Sequence, residues 1–141
     1  MKNCQLEFCK FCVLGKKNRV SFKTSTHSSK DVLEYVHTDV WGPAEVESKG
    51  GAKYFVTFID DYTRKVWIYF MRHKSETFSK FTEWKAEVEN QTNRKLKCLR
   101  SDNGGEFTYT PFLDLCKSEG IIHHFTTPGT PQQNGVAERM N

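Results

Sequence analysis

The stretch that decides the fold of this chain is Tyr54-Phe55-Val56-Thr57-Phe58-Ile59-Asp60-Asp61-Tyr62-Thr63-Arg64-Lys65-Val66-Trp67-Ile68-Tyr69-Phe70. Its first part, residues 54–59, is almost entirely apolar or β-branched, which is typical of a strand buried on both faces. Residues 60–65 have the polar composition of a turn. Residues 66–70 return to apolar and β-branched side chains, so the whole stretch predicts an antiparallel β-hairpin.

A helix is predicted directly after this hairpin. Apolar side chains recur there at steps of three, three and four residues, which forms one stripe along about four helical turns. These side chains are Phe78, Phe81, Trp84 and Val88. Ser75 has the residue type and position of a helix N-cap. We interpret the stripe as core packing and not as a ligand-binding feature.

The remaining elements alternate between strand and helix. Residues 32–39 and 96–102 predict strands, and each of these two runs ends in an aspartate. A helix is predicted to begin at Pro111 and to stop at Gly120, and a short strand follows over residues 121–125. The order β, β-hairpin, α, β, α, β, followed by the start of a helix, predicts a mixed α/β domain.

Composition limits the class of protein. The chain has 141 residues, 37% of them hydrophobic and 13% aromatic, which is enough for the core of one ordinary domain. A net charge of +4 permits a polyanionic partner without requiring one. No apolar run approaches the ~20 residues of a transmembrane helix, and no signal peptide is visible. Five cysteines without an export signal argue against a disulfide framework.

Three carboxylates occupy positions that the backbone can hold rigidly. Asp39 and Asp102 end predicted strands, and Glu138 follows a turn-rich loop at the predicted start of a helix. Three acidic groups that converge are stable together when cations neutralise them, and Mg²⁺ or Mn²⁺ suit oxygen ligands. Two such ions ~3.5–4 Å apart would clamp an in-line phosphoryl displacement. By spacing alone, three unrelated surface carboxylates among seventeen acidic residues remain an alternative.

Four segments, in this order, closely resemble the integrase region of copia-type LTR-retrotransposon Pol polyproteins. They are HTDVWGP at 37–43, IDDYTR at 59–64, SDNGGEF at 101–107 and TPQQNGVAER at 130–139. The resemblance runs from about residue 9 to residue 141. It implies an RNase H-like α/β fold, a mixed five-stranded sheet flanked by helices, truncated here at its C-terminal end.

The resemblance also implies a catalytic triad of the D,D-35-E type on Asp39, Asp102 and Glu138, with 35 residues between the last two. In such a triad Asp39 would bridge two Mg²⁺ or Mn²⁺ ions, and Asp102 and Glu138 would each hold one. The implied reactions are DNA 3′-end processing and strand transfer, which are polynucleotidyl transfers. The implied partners are double-stranded DNA, from the element ends and the target, and further copies of the full-length protein. The implied location is the nucleus, with no membrane association.

Five residues are candidates for contact with DNA: Asn103, Gly104, Gln133, Asn134 and Arg139. The backbone at Asn103 and Gly104 could be approached closely by a phosphodiester because glycine has no side chain. A simple strand-to-helix turn explains the same residues equally well. The loop amides of Gln133 and Asn134 could reach phosphates or base edges, and Asn134 also suits a helix N-cap. Arg139 would point about 100° away from Glu138 around the helix, towards solvent or the DNA backbone.

Other titratable residues have simpler interpretations. Asp60 and Asp61 lie beside Arg64 in the predicted hairpin turn, which favours turn hydrogen bonds and ion pairing over metal binding. Glu106 is interpreted as a surface residue or one with local hydrogen bonds. His37 shares a strand face with Asp39; it is interpreted as a packed histidine, with a supporting role for Asp39 as the alternative.

Cys9 and Cys12 have the spacing of half a tetrahedral zinc site. In the family that the chain resembles, an upstream histidine pair completes an HHCC site, but the first histidine here is His27. Cys4 and His27 fit no zinc pattern, so Zn²⁺ is expected only if upstream ligands are present. We therefore expect three parts: residues 1–20 as a remnant of a zinc-binding domain, 21–30 as a linker and 31–141 as an incomplete catalytic core.

The chain ends three residues after Glu138, less than one helical turn later. A helix that short is marginal in water, so we expect this isolated fragment to be inactive or nearly so. An alternative is a degenerate, non-catalytic nucleic-acid-binding module of the same fold. A nuclease of the RNase H kind is a third hypothesis, against which the segment 130–139 argues.

Overall fold

The computed structural model describes residues 28–126, which form one five-stranded sheet with helices packed on it. The strands are β1 (Val36–Trp41), β2 (Tyr54–Asp60), β3 (Val66–Met71), β4 (Cys98–Ser101) and β5 (Ile122–Phe125). The helices are α1 (Thr77–Thr92), α2 (Gly105–Thr108) and α3 (Thr110–Ser118), with a 3₁₀ turn at Lys74–Glu76 before α1.

The sheet is mixed, as predicted. Its spatial order is β3-β2-β1-β4-β5. The first three strands pair antiparallel, whereas β1, β4 and β5 pair parallel. Strand β1 is therefore the central strand and has a hydrogen-bonded neighbour on each side.

The hairpin prediction is confirmed. Strands β2 and β3 pair from Tyr54 opposite Met71 to Ile59 opposite Val66. Arg64 adopts a left-handed backbone with φ 61° in the turn that joins them. The two strands extend the predicted ranges by one residue each.

One face of the sheet packs against α1 and α3 to form the core. The Phe58 ring stacks on Trp84 of α1 at a centroid distance of 4.3 Å, and Phe81 stacks on Phe112 of α3 at 4.6 Å. Phe81, Trp84 and Val88 are fully buried or nearly so, and Phe78 packs against the same core. The apolar stripe is thus core packing, as predicted, and burying each large side chain contributes about 1.5–3 kcal/mol.

One predicted helix start and one predicted strand start were wrong. Ser75 does not cap the helix; it lies inside the 3₁₀ turn, and the Glu76 carboxylate accepts the backbone N–H groups of Arg72 and His73 at 2.9 Å. The strand predicted from residue 32 begins at Val36. Leu33 interrupts it because its backbone is left-handed, with φ 63°, and its N–H is donated to the Asp60 carboxylate.

The face opposite α1 and α3 carries four apolar side chains on neighbouring strands, called here the apolar shelf. Trp41 stacks on Phe55 at 5.3 Å, and Phe55 meets Phe70 edge-on at 6.4 Å. Ile68 lies two residues from Phe70 and so shares its side of β3. Trp41, Ile68 and Phe70 are exposed.

Within the described part of the chain, no helix is both long enough and apolar enough to cross a membrane.

Candidate active site at the ends of the central strands

The backbone brings Asp39 and Asp102 together. Strands β1 and β4 are parallel neighbours, with Val36 opposite Leu99 and His37 opposite Arg100. Continuing this register by two residues sets Asp39 beside Asp102. Because neighbouring strands lie ~4.8 Å apart, this register sets the backbones of the two residues side by side, towards the C-terminal ends of β1 and β4.

Asp39 lies inside β1 and not at its end, which corrects the predicted strand boundary. It is half-buried and alternates with core-facing Thr38 and Val40, so it lies on the opposite face of the sheet, with His37. Its Oδ1 accepts the Val40 N–H at 3.0 Å, and its carbonyl accepts the Thr57 hydroxyl at 3.5 Å. Pairing with Thr57 of β2 holds the backbone of this residue in place, and β4 pairs with β1 two residues earlier, at His37.

Asp102 directly follows β4 and is held by the turn after it. Its Oδ1 accepts the Gly104 N–H at 2.9 Å. The Asn103 side-chain amide donates to the Thr126 carbonyl at 2.9 Å, which ties this turn to the end of β5. The Asn103 amide is thus engaged within the protein although the residue is exposed. The half-buried Asp102 carboxylate therefore has a fixed direction.

Gly104 is required by close approach and not by its backbone angles, which are ordinary (φ −58°, ψ 148°). A Cβ at this position would lie 2.6 Å from Oε1 of Glu106 and 2.9 Å from Oδ1 of Asp102. Such contacts are shorter than real Cβ atoms accept. The glycine thus makes room for two carboxylates.

The interpretation of Glu106 as a surface or hydrogen-bonded residue was wrong. Its side chain is only 9% exposed, and its recorded partner is Lys74, with Nζ 4.0 Å from Oε1, longer than a hydrogen bond. The reason is the short helix α2, which turns Glu106 back over Gly104. The available signal was the position of Glu106 four residues after Asp102, at the start of a helix.

Asp60 and Asp61 stabilise the hairpin turn, as predicted. Asp60 is fully buried and accepts the Leu33 N–H as well as the N–H and hydroxyl of Thr63. Asp61 pairs with Arg64 at 3.4 Å and with the His37 ring at 3.3 Å. Although burial alone would raise the pKa of Asp61, its hydrogen bonds from Ser29 and His37 and the charge of Arg64 hold it below its ordinary value.

His37 is a packed residue, 5% exposed, beside Tyr35 and Asp61. Burial lowers its pKa, and the neighbouring Asp61 carboxylate only partly opposes this. His123 of β5 bonds to the Ser101 hydroxyl at 2.7 Å, and burial lowers its pKa to about 4. Both histidines are therefore neutral near pH 7.

Several predicted site residues lie outside the described range 28–126. They are Cys9, Cys12, Gln133, Asn134, Glu138 and Arg139. Within that range, no group of three histidine, cysteine, aspartate or glutamate side chains is close enough to hold a metal ion.

Asp39 and Asp102 fit a hard divalent cation in donor chemistry, since both supply carboxylate oxygens from rigid backbone at the same end of the sheet. Mg²⁺ is commonly held by one or two carboxylates together with substrate phosphates and water. The described part of the site is therefore suited to cations that a phosphate-bearing substrate helps to bind.

The fold and the carboxylate pair define a class: RNase H-like domains with acidic residues on central parallel strands. The chain belongs to the integrase core domain family, which it matches over residues 29–131. A chain of the cryo-EM structure of the simian T-cell lymphotropic virus intasome in complex with PP2A regulatory subunit B56 gamma shares this fold. Its TM-score is 0.64 at 20% identity, covering 77% of this chain and 37% of that one.

The relatives in sequence are transposon polyproteins, so the resemblance to copia-type elements is confirmed. The retrovirus-related Pol polyprotein from transposon TNT 1-94 of Nicotiana tabacum is 54% identical over 140 residues, 99% of this chain. The corresponding polyprotein from transposon RE2 of Arabidopsis thaliana is 37% identical over 133 residues, 94% of this chain. The chain spans only 10% and 9% of these two relatives.

Proposed function

We propose that this chain is the catalytic core of a retrotransposon integrase that carries out metal-dependent DNA 3′-end processing and strand transfer. The observation that carries the proposal is the parallel register of β1 and β4, which sets Asp39 beside Asp102 at one end of the sheet. Family membership supports the same reaction class.

Asp39, Asp102 and Glu138 are the proposed catalytic residues and metal ligands. Two Mg²⁺ or Mn²⁺ ions, when bound, would stabilise the attacking and leaving oxygens of an in-line phosphoryl displacement. The protein's part is to hold anionic oxygens without reorganisation. Hydrogen bonds from Val40 N–H to Asp39 and from Gly104 N–H to Asp102 fix the directions of these carboxylates, which supports the proposed roles.

Double-stranded DNA from the element ends and from the target is the proposed substrate, and a homo-oligomer in the nucleus is the proposed working form. The intasome containing the structural neighbour supports DNA and an oligomer as partners through the shared fold, whereas the nuclear location is proposed from the family resemblance alone. Asn103, Gly104, Gln133, Asn134 and Arg139 are proposed DNA contacts. Asn103 is an exposed residue whose side-chain N–H group is bonded to Thr126, so its proposed contacts with DNA are made by its Oδ1 and its backbone.

The proposed domain division is unchanged: residues 1–20 with Cys9 and Cys12 as part of a zinc-binding unit, 21–30 as linker, and 31–141 as catalytic core. The match to the integrase core domain begins at residue 29, close to the proposed boundary.

A strand-transfer assay in Mn²⁺ tests the function. This chain replaces the corresponding segment of the TNT 1-94 polyprotein, so that flanking segments are present. We expect transfer of a labelled DNA end into a target plasmid, and its loss in Asp39→Asn, Asp102→Asn and Glu138→Gln. An inactive chimera beside an active parent polyprotein would instead support the degenerate, non-catalytic module. Normal activity of a substituted chimera would remove that residue from the catalytic set.

A further inference from the structure

Arg100 lies on the same face of the sheet as the proposed catalytic residue Asp39. It pairs with His37 across β1 and β4, and side chains alternate along a strand, so His37, Asp39 and Arg100 share that face. Asp102 follows Arg100 by two residues. On its other side, Arg100 pairs with the exposed His124 of β5, so this part of the face is open to a ligand.

The half-buried Arg100 guanidinium has few partners among the described residues. Its Nη1 donates to the Tyr35 hydroxyl at 3.4 Å, which is a long hydrogen bond, and its Nε is buried without an acceptor. No described carboxylate is ion-paired with it. Asp61, which contacts His37, pairs with Arg64 instead. Since burying a charge without a counter-charge is costly, this guanidinium is suited to an anion supplied by a ligand.

The side chains next to Arg100 on this face do not supply a negative charge. Burial raises the pKa of the Tyr35 hydroxyl and raises the pKa of the Cys98 thiol to about 11, so both groups are neutral near pH 7. Burial lowers the pKa of His37, and this imidazole is neutral as well. The positive charge of Arg100 is therefore available to attract an anion.

We propose that Arg100 binds a phosphate oxygen of the DNA strand that lies over Asp39 and Asp102. This inference rests on the proposed function, because DNA is the proposed substrate. A guanidinium suits a phosphate, since its N–H donors match two oxygens of one phosphate group. Residues two apart on a strand are separated by about 6.6 Å, and successive phosphates of one DNA strand advance by ~3.4 Å along the helix axis. A strand whose reacting phosphate lies at the carboxylates thus brings a neighbouring phosphate within reach of Arg100.

This contact offsets a repulsion that the site itself creates. Asp39 and Asp102 repel the phosphate backbone, and the proposed cations neutralise them at the reacting phosphate. Arg100 attracts the strand beside that point and so fixes its position. Removing the guanidinium should weaken DNA binding and reduce its salt dependence, because one phosphate fewer is neutralised. A residue that acted only on the stability of the sheet would not change the salt dependence.

The experiment measures binding of the 141-residue chain to a fluorescent target DNA duplex, by anisotropy, at one Mg²⁺ concentration and over a range of KCl concentrations. We expect Arg100→Gln to weaken binding about tenfold, as loss of a hydrogen bond to a charged group would. The slope of log affinity against log salt should fall in magnitude by up to about 0.9. Arg100→Lys keeps the charge and should keep the slope, but its affinity should fall about threefold because lysine lacks the planar fork.

Arg94 provides a matched control before β4, at the end of that strand away from Asp102. Its guanidinium already has a carboxylate partner, with Nη1 2.9 Å from Oδ2 of Asp31. Arg94→Gln changes the net charge equally, and it should leave the affinity within about twofold and the slope unchanged. Wild-type affinity and slope in Arg100→Gln, or equal losses in Arg94→Gln, overturn the inference. If urea unfolding shows that Arg100→Gln does not fold, wild-type affinity in Arg100→Lys overturns it.

Two outcomes separate this inference from the proposed function. Wild-type DNA binding and salt dependence in Arg100→Gln, together with loss of strand transfer in the Asp39→Asn and Asp102→Asn chimeras, overturn the inference alone. A wild-type chain that binds no DNA overturns DNA as the substrate, and with it both proposals.

Discussion

At the scale of single residues, the adjacent glycines Gly104 and Gly105 differ in how much space a side chain would have. Gly104 lies against the carboxylates of Asp102 and Glu106, whereas a Cβ on Gly105 would meet no atom within 4 Å. Both have backbone angles that alanine accepts, since neither is among the residues with positive φ. Substituting each glycine by alanine therefore separates the effect of steric crowding by a Cβ from the effect of lost backbone flexibility.

We expect Gly104→Ala to displace the two carboxylates and to lower Mn²⁺ affinity at least tenfold. The loss of unfolding free energy should be near the lower end for overpacking, about 1 kcal/mol, because the Glu106 side chain can move. Gly105→Ala should leave affinity unchanged and alter stability by no more than about 1 kcal/mol, in the stabilising direction. Urea unfolding together with Mn²⁺ titration measures both quantities. Equal effects of the two substitutions would contradict the crowding at Gly104.

A pH dependence of stability follows from His123. Its pKa falls from an ordinary value of 6.5 to about 4 on folding, so the unfolded chain binds the proton more readily. The stabilisation is complete above pH 6.5 and is lost as the pH falls from 6.5 towards 4, by up to about 3 kcal/mol. Urea unfolding at pH 7 and pH 4.5 measures the loss. His123→Gln should show a smaller loss between these two pH values, and an unchanged loss would contradict the prediction.

At the scale of elements, Glu89 joins helix α1 to the start of β4. Its Oε1 accepts the Leu96 N–H at 2.8 Å, and its Oε2 contacts Lys85 at 2.9 Å in a site where both side chains are 8% exposed. Although burial alone would raise its pKa, the Leu96 N–H and the Lys85 ammonium hold the pKa of Glu89 below its ordinary value. This carboxylate anchors the segment that leads into β4, the strand that Asp102 follows.

We expect Glu89→Gln to lower the free energy of unfolding by about 2 kcal/mol, because it leaves the buried Lys85 ammonium with only one of its two carboxylate partners, Glu119. Glu83→Gln, which breaks an exposed pair on the same helix, should change it by less than about 1 kcal/mol. Thermal unfolding of both variants gives the comparison. A similar small effect of both would show that Glu89 is replaceable.

Most elements could be predicted from the sequence because their patterns are local. In the hairpin at 54–70 and the helix with the stripe from Phe78 to Val88, the order of apolar and polar residues reflects which side chains are buried. The predicted ranges of these elements were therefore correct to within a few residues. The start of β1 was missed because it depends on the distant Asp60, whose carboxylate accepts the Leu33 N–H across 27 residues. The position of Glu106 was missed for a related reason: its burial depends on Lys74 and on the direction of α2, which no local pattern encodes.

At the scale of the whole molecule, the two faces of the sheet differ. One is covered by α1 and α3, and the other carries the apolar shelf of Trp41, Phe55, Ile68 and Phe70 beside Asp39. Exposed apolar patches favour contacts with other molecules. We therefore expect the shelf to affect the self-association of the chain more than its stability.

We expect Phe70→Lys to reduce self-association without loss of stability, because Phe70 is 65% exposed on an edge strand. The free energy of unfolding should change by less than about 0.5 kcal/mol. Sedimentation velocity over a range of concentrations measures the association. Asn90→Lys, a substitution at an exposed position of α1, serves as a control for added charge, and an equal effect there would contradict a role for the shelf.

The parallel register of β1 and β4 also has an evolutionary consequence. Its pairs, Val36 with Leu99 and His37 with Arg100, lead directly to Asp39 and Asp102, and every residue type except proline can make the backbone hydrogen bonds of such a pair. Natural selection can therefore replace most neighbouring side chains without separating the two carboxylates. A viral intasome chain that is 20% identical shares this fold. Surface side chains around this pair can thus vary while the backbone that positions the two acids is kept.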